Sequence, residues 1–383
     1  MRRRAAAILL GLALVGCQAQ EPTPGDHIHV GVYGALTGSE ATFGQSALAG
    51  VQLAVDERNA AGGVRHLPVE IVSYDDRGST QEAGTAVTRL ITEDSVVALI
   101  GEETSSMSIA GGKVAQRYGV PMISPSSTNP RVTAVGDRIF RVCFVDVFQS
   151  YVLARFAREH LKAASVAVLY DQSQAYSVGF KDAFAQAFQE MGGTVIKSQA
   201  YSRGDQDFSA QLTTIRGSRP DAVLVPGYYT DAANIAIQAR RLGIDVPLPG
   251  GDGWDSAQLA AIGGDAVLHT FYSNHYSHED PRPEVQGFIS AYGKRQGGEL
   301  PDSVAALAYD AARILFAAME QARSLSGEDL AAALAATRDF PGVTGTISMD
   351  AERNARKPAV VLEMRKGPDG RILPRYVTTI EPP

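Results

Sequence analysis

Residues 96–106 read VVALIGEETSS. The first five are apolar with no polar interruption, and the rest form a turn carrying hydroxyls and two acids. A continuous apolar run suits a strand of a parallel sheet covered on both faces. The loop after such a strand is where the sheet opens its ligand crevice. The same pattern recurs outward from this point, at 29–33, 69–72, 120–123, 165–170 (SVAVLY), 194–196 and 222–225. Ala-rich amphipathic stretches lie between these runs, at 46–59, 80–91, 149–161, 176–191, 208–216 and 231–242. Gly62-Gly63 and Gly192-Gly193 close two of them, because glycine accepts the left-handed geometry that follows a helix. The alternation makes two rounds, about 28–142 and 147–271, before a helical stretch at 302–323. It predicts an α/β fold of two doubly wound parallel-sheet lobes. No fixed-period repeat is present, which argues against a solenoid.

The N-terminus sets an expected compartment. Arg2, Arg3 and Arg4 precede a short apolar run, 5–15, broken only by Gly11. This is the layout of a signal peptide, and the run is shorter than the ~20 residues of a spanning helix. It ends in Leu14-Val15-Gly16-Cys17, which resembles a lipobox. Residues 1–16 are therefore expected to be removed and Cys17 lipidated. Segment 17–27 is polar with two prolines and reads as a tether. The residues that normally surround a twin-arginine pair are missing, so ordinary secretion is expected.

The formal charge is −7, and removal of residues 1–16 takes away three arginines to leave −10. An acidic chain without a Lys/Arg-rich run argues against nucleic acid as partner. Cys143 is the only other cysteine, so no intramolecular disulfide is expected and a large core must carry stability.

Four loops after strands carry the candidate chemistry. Gly101 to Ser106 and Ser124 to Pro130 (SPSSTNP) are rich in hydroxyls, which together with backbone N–H groups at a helix start suit a carboxylate. Plain helix capping by Ser105 or Ser106 is the competing reading. Pro226-Gly227-Tyr228-Tyr229 and Gly250-Gly251-Asp252-Gly253 belong to the second round. An acid between glycines can face a cation without crowding, although Asp-Gly is also ordinary turn chemistry.

Several phrases together are specific: GVYGALTGSEATFGQSALAGVQLAVDERNAAGG (31–63), VSYDDRGS (72–79), ALIGEETSS (98–106), VPMISPSSTNPRVT (120–133) and GYYTDAANIAIQARRLGI (227–244). They resemble the leucine/isoleucine/valine-binding proteins, a type I branch of the periplasmic solute-binding proteins of ABC transporters, over most of 28–365. The resemblance implies lobes of 28–145 with 274–350 and 146–273 with 351–383, joined by a multi-strand hinge. It implies an amino acid as ligand, an ABC permease as partner, no cofactor and no catalysis. Ser105 and Thr128 resemble the hydroxyl donors to the α-carboxylate, with Ser126 offering backbone groups. Asp252 falls on the acid that pairs with the α-ammonium. Tyr228, Tyr176 and Phe43 fall on the aromatic positions. A buried zwitterion needs both charges matched, or desolvation cancels binding.

Two positions depart from that pattern. Before the carboxylate-binding serine the best-known members carry an apolar residue and a half-cystine; Glu103 and Thr104 stand there. Thr104 joins the candidate ligand-binding set. The other half-cystine position falls on Gly78, so the pair is absent together. If Glu103 faces the crevice it favours a polar or cationic ligand side chain; if it faces solvent, nothing follows.

Other motifs carry less. Gly31 to Gly38 does not match G-x-G-x-x-G, and Tyr176 and Lys181 miss the Tyr-x-x-x-Lys spacing of a dehydrogenase. His275, His278, Glu279 and Asp280 look metal-like, but Pro281 and Pro283 favour a mobile loop between lobes, with no metal expected. No nucleophile–base pair is found. The expectation is an exported, lipid-anchored, monomeric binding protein of an importer. Its rival is a sensor of the same fold for an amide, urea or aromatic acid, acting on a receptor or regulator.

Overall fold

The computed structural model describes residues 27–382. The first sheet contains β1 (Ile28–Gly34), β2 (Val69–Asp75), β3 (Ala98–Ile100), β4 (Met122–Ser124) and β5 (Ile139–Arg141), in the order β2-β1-β3-β4-β5 and parallel throughout. Helices α1 (Ala41–Ala60), α2 (Thr80–Thr92) and α3 (Ser105–Tyr118) make the crossovers. Alternate residues of β1 face different cores. Val30 and Val32 pack with Val51 and Ala54 of α1, whereas Tyr33 packs with Ala83 and Leu90 of α2 and Met107 of α3. Burial on both faces is why these strands read as unbroken apolar runs.

The second sheet is built on β6 (Ser165–Asp171), β7 (Thr194–Tyr201) and β8 (Ala222–Leu224), parallel and in the order β7-β6-β8. It continues through β9 (Leu248–Gly250) and β10 (Thr270–Asn274). Val223 and Val225 donate their N–H groups to the carbonyls of Pro247 and Pro249 at 3.0 and 2.9 Å, which ties β8 to the segment of β9. Helices α4 (Asp146–Glu159), α5 (Ala175–Glu190), α6 (Ser209–Ser218), α7 (Tyr229–Arg241) and α8 (Ala257–Gly263) accompany it.

The chain then returns to the first sheet with α9 (Pro283–Arg295), α10 (Ser303–Gln321) and α11 (Gly327–Ala335). Helix α10 is the stretch expected at 302–323. It lies so close to α1 that a Cβ on Gly50 would meet the carbonyl oxygen of Ala305 at 2.2 Å. A small antiparallel sheet follows, β11 (Phe340–Gly342), β12 (Gly345–Met349) and β13 (Ala355–Arg356). Finally β14 (Ala359–Lys366) and β15 (Ile372–Ile380) add to β10 in antiparallel sense. The second sheet is thus mixed at that edge, where the sequence showed only parallel rounds.

Between the sheets the chain passes three times: after β5, after β10, and between β13 and β14. The passages are packed together. Phe144 stacks on His275 with ring centroids 3.8 Å apart. Buried Lys357 donates to Thr344 Oγ1 at 2.6 Å, and Thr344 donates its N–H and hydroxyl to Asp310 Oδ2 at 2.9 and 2.8 Å. Burial pushes the Lys357 ammonium down to about 8, with Asp310 acting in the opposite sense. Cys143 is buried and free. Among the described residues no helix is long and apolar enough to cross a membrane. Cys17 and nearly all of the tether lie outside the described residues.

Candidate functional site

In both sheets the strand order reverses beside the strand that opens each round, β1 in the first and β6 in the second. Loops at the carboxyl ends of neighbouring strands diverge there and leave a crevice. The two crevices face each other. Their loops line one cavity.

Phe43, Ser105, Ser126, Thr128, Tyr176, Tyr228 and Asp252 all line this cavity. Thr104, the remaining candidate, is buried beside it. Its hydroxyl donates to Glu102 Oε2 at 2.6 Å instead of reaching the cavity wall. Thr104 also occupies the cap position of α3, without a side-chain cap bond. Neither Ser105 nor Ser106 caps that helix. Ser105 Oγ accepts from Asn129 N–H at 3.2 Å, leaving its own proton to donate elsewhere, and Ser106 Oγ accepts from Ala175 N–H at 3.1 Å. Ser126 donates to the carbonyl of Glu103 at 2.9 Å and so pins the β3 and β4 loops together. Thr128 Oγ1 lies 3.4 Å from Gln149 Nε2.

The opposite wall is acidic and aromatic. Asp252 follows β9 and is held from two sides: Tyr176 donates its hydroxyl to Oδ1 at 3.1 Å, and His275 Nε2 lies 3.0 Å from Oδ2. Burial drives the His275 pKa well below its ordinary value, so the ring is neutral and offers a hydrogen bond, not a countercharge. An ionised Asp252 then requires the proton on Nε2, which agrees with Nδ1 having no partner. Burial pushes Asp252 up to about 7, opposed by its hydrogen bonds to Gln149 and Tyr176. Tyr228 stacks on Tyr176 at 5.3 Å and meets Phe43 edge-on at 5.8 Å. The hydroxyl of Tyr228 is buried without a partner.

Sequence reasoning missed several wall residues. Gly253, Ser303 and Val304 line the cavity, and Ser303 N–H is fixed by Asp255 Oδ2 at 2.6 Å. Gln149, whose Nε2 lies 3.4 Å from Thr128 Oγ1 on the first half, accepts from Asp252 N–H at 3.3 Å and Ser273 Oγ at 2.8 Å on the second. Glu103, left open above, lines the cavity. The metal-like cluster is dispersed. His275 serves Asp252, His278 Nε2 lies 2.5 Å from the Pro301 carbonyl, Glu279 pairs with Arg375 and Asp280 with Arg282. Among the described residues no group of acids, histidines and cysteines is arranged to hold a metal ion.

Hydroxyls on one wall and a carboxylate without a cationic partner on the other thus face one cavity between the two sheets. The chain belongs to the periplasmic binding protein family, whose sequence profile matches residues 27–368. It is 31% identical over 373 residues to a Leu/Ile/Val-binding protein homologue of Brucella abortus, covering 95% of this chain and 98% of that one. The leucine-binding protein LivK of Thermotoga maritima superposes with a TM-score of 0.88 at 37% identity, over 93% and 99% of the two chains. The substrate-binding protein LivJ of Streptococcus pneumoniae, a branched-chain amino acid transporter component solved with isoleucine, gives 0.85 at 33% identity over 92% and 99%. These relatives are solute-binding proteins, not enzymes, and the type I periplasmic binding fold is shared with them. The family is one of exported periplasmic proteins.

Proposed function

We propose that this protein is the extracytoplasmic solute-binding lipoprotein of an ABC importer, taking an amino acid into the inter-lobe cavity and presenting it to a membrane permease. The observation that carries this reading is that Ser105 and Asp252, from loops of different sheets, line one cavity in which Asp252 has no cationic partner. A free amino acid supplies both missing charges. Its α-carboxylate takes the hydroxyls of Ser105 and Thr128, and its α-ammonium takes Asp252. The two lobes close over it about the three chain passages. The isoleucine complex of LivJ supports this ligand class. A lipid on Cys17 would hold the protein at the membrane surface.

A thermal-shift panel of amino acids, amides and simple carboxylates tests the reading. Ligand at ~100 times its Kd stabilises the native state by about 2.7 kcal/mol. The reading expects a shift from at least one L-amino acid and none from the corresponding amide. Mass spectrometry of the mature N-terminus tests the anchor, since Cys17→Ser should abolish the diacylglyceryl mass.

A further inference from the structure

Asp252 is not the only acid in the cavity wall. Glu103 lies on the loop after β3 with 4% of its surface exposed, and neither Oε1 nor Oε2 has a hydrogen-bond partner. Its backbone is fixed by Ser126, and its side chain fills space left by a glycine of β1. A Cβ on Gly34 would come within 2.3 Å of Glu103 Oε2. Two more buried acids stand nearby. Glu102 takes Thr104 N–H and Oγ1 on Oε2, leaving Oε1 bare; Asp76 takes Gly78 N–H on Oδ1, leaving Oδ2 bare. Among the described residues none of the three forms an ion pair, and Asp302 adds further negative potential. Burial and Asp76 push Glu103 up to about 8. An unpaired carboxylate costs free energy in a dry wall, so the group favours its neutral form until a cation is set against it, which would restore the ionised form.

We propose that the side chain of the bound amino acid carries a positive charge, and that Glu103 receives it, backed by Glu102 and Asp76. The inference rests on the amino-acid reading above: Asp252 takes the α-ammonium, and Glu103 takes a lysine- or arginine-type group. The relatives named for leucine, isoleucine and valine supply the scaffold. Glu103, a departure from their pattern, turns it toward cations.

Calorimetric titration of the full-length protein in detergent with L-lysine, L-ornithine, L-arginine, L-glutamine and L-leucine tests this, with agmatine and cadaverine as cations lacking the α-carboxylate. At least one cationic amino acid should bind ten-fold or more tighter than leucine. Glu103→Leu should reverse that preference, and the near-isosteric Glu103→Gln should weaken the cation while leaving the fold intact by circular dichroism. Leucine binding as tightly as any cationic amino acid overturns the inference and spares the amino-acid reading. So does a cation preference unchanged in both variants. Binding of agmatine or cadaverine without any amino acid keeps Glu103 as a cation receptor and sinks the amino-acid reading. Binding of none of the probes overturns both.

Discussion

His275 Nε2 lies 3.0 Å from Asp252 Oδ2, and the same imidazole stacks on Phe144 at the first passage between the sheets. One ring therefore touches both the charged end of the cavity and the hinge region. A neutral donor stabilises the ionised form of Asp252 against the desolvation that raises its pKa.

Removing that donor should be visible in the pH profile of binding. In His275→Leu, Asp252 loses a side-chain hydrogen-bond partner and its pKa should rise further. Affinity for an amino acid then falls as pH drops, and its acid limb moves to higher pH in the variant. Loss of a hydrogen bond to a charged group is worth ~1.5–3 kcal/mol, so at neutral pH the Kd should rise roughly ten-fold or more. A limb that stays in place would mean the contact does not tune Asp252.

Contacts across the cleft mouth predict an effect on dissociation. Arg203, after β7, reaches Glu40 and the carbonyl of Gly78 on the first lobe. Thr230 Oγ1 donates to the Ser39 carbonyl at 2.7 Å, and Thr42 Oγ1 lies 2.9 Å from Ser256 Oγ. None of these belongs to the cavity lining, so they hold the closed arrangement. Arg203 is 28% exposed at its side chain, so its pair is discounted for solvent. Stopped-flow measurement on Arg203→Ala should show release about five-fold faster, with association little changed. Equal slowing of association would contradict a latch.

Buried acids set the pH dependence of stability. Burial raises Asp76 to about 6, Asp146, Asp231, Asp252 and Asp302 to about 7, and Glu103 to about 8. Each has a folded pKa above its unfolded one, so the native state binds more protons in between and stability falls as pH rises. The depressed acids, Asp75, Asp137, Asp207, Asp221, Asp329 and Asp369, act in the opposite sense, but they titrate below pH 4. His275, with its lowered pKa, opposes the trend below its ordinary value of 6.5 as a single group. The unliganded protein should therefore melt at a lower temperature at pH 8 than at pH 5. A melting temperature that rises over this interval would contradict the burial of these acids.

Cys143 gives a simple probe of the hinge core. It is free and buried, and burial pushes its thiol up to about 12. With Cys17 acylated or replaced by serine, a thiol reagent should find no reactive group in the native protein and one in denaturant. Rapid native labelling would show that the passages open.

The sequence carried the central strands well and the C-terminal third poorly, for a physical reason. Strands β1 and β6 are covered on both faces and read as apolar runs, and their following loops are marked by hydroxyls and glycines. Strand β15 is half-exposed along most of its length and contains Pro374, so neither alternation nor an unbroken run survives. Within the site, Ser105, Thr128, Tyr228 and Asp252 stood at strand ends and were legible. Ser303, Val304 and Gln149 were not, because they arrive on helix starts placed by packing of distant segments. Glu103 was visible as a departure, but its direction depends on the fit against Gly34, which no local pattern encodes.

The most direct test of the central claim compares an L-amino acid ligand with its α-hydroxy acid counterpart by calorimetry, in the wild type and in Asp252→Asn. The account predicts tight binding of the amino acid to the wild type, and loss of about two orders of magnitude or more either on removing its amine or on neutralising Asp252, as for a buried charge left unpaired. Equal binding of both compounds, unaffected by Asp252→Asn, would contradict it.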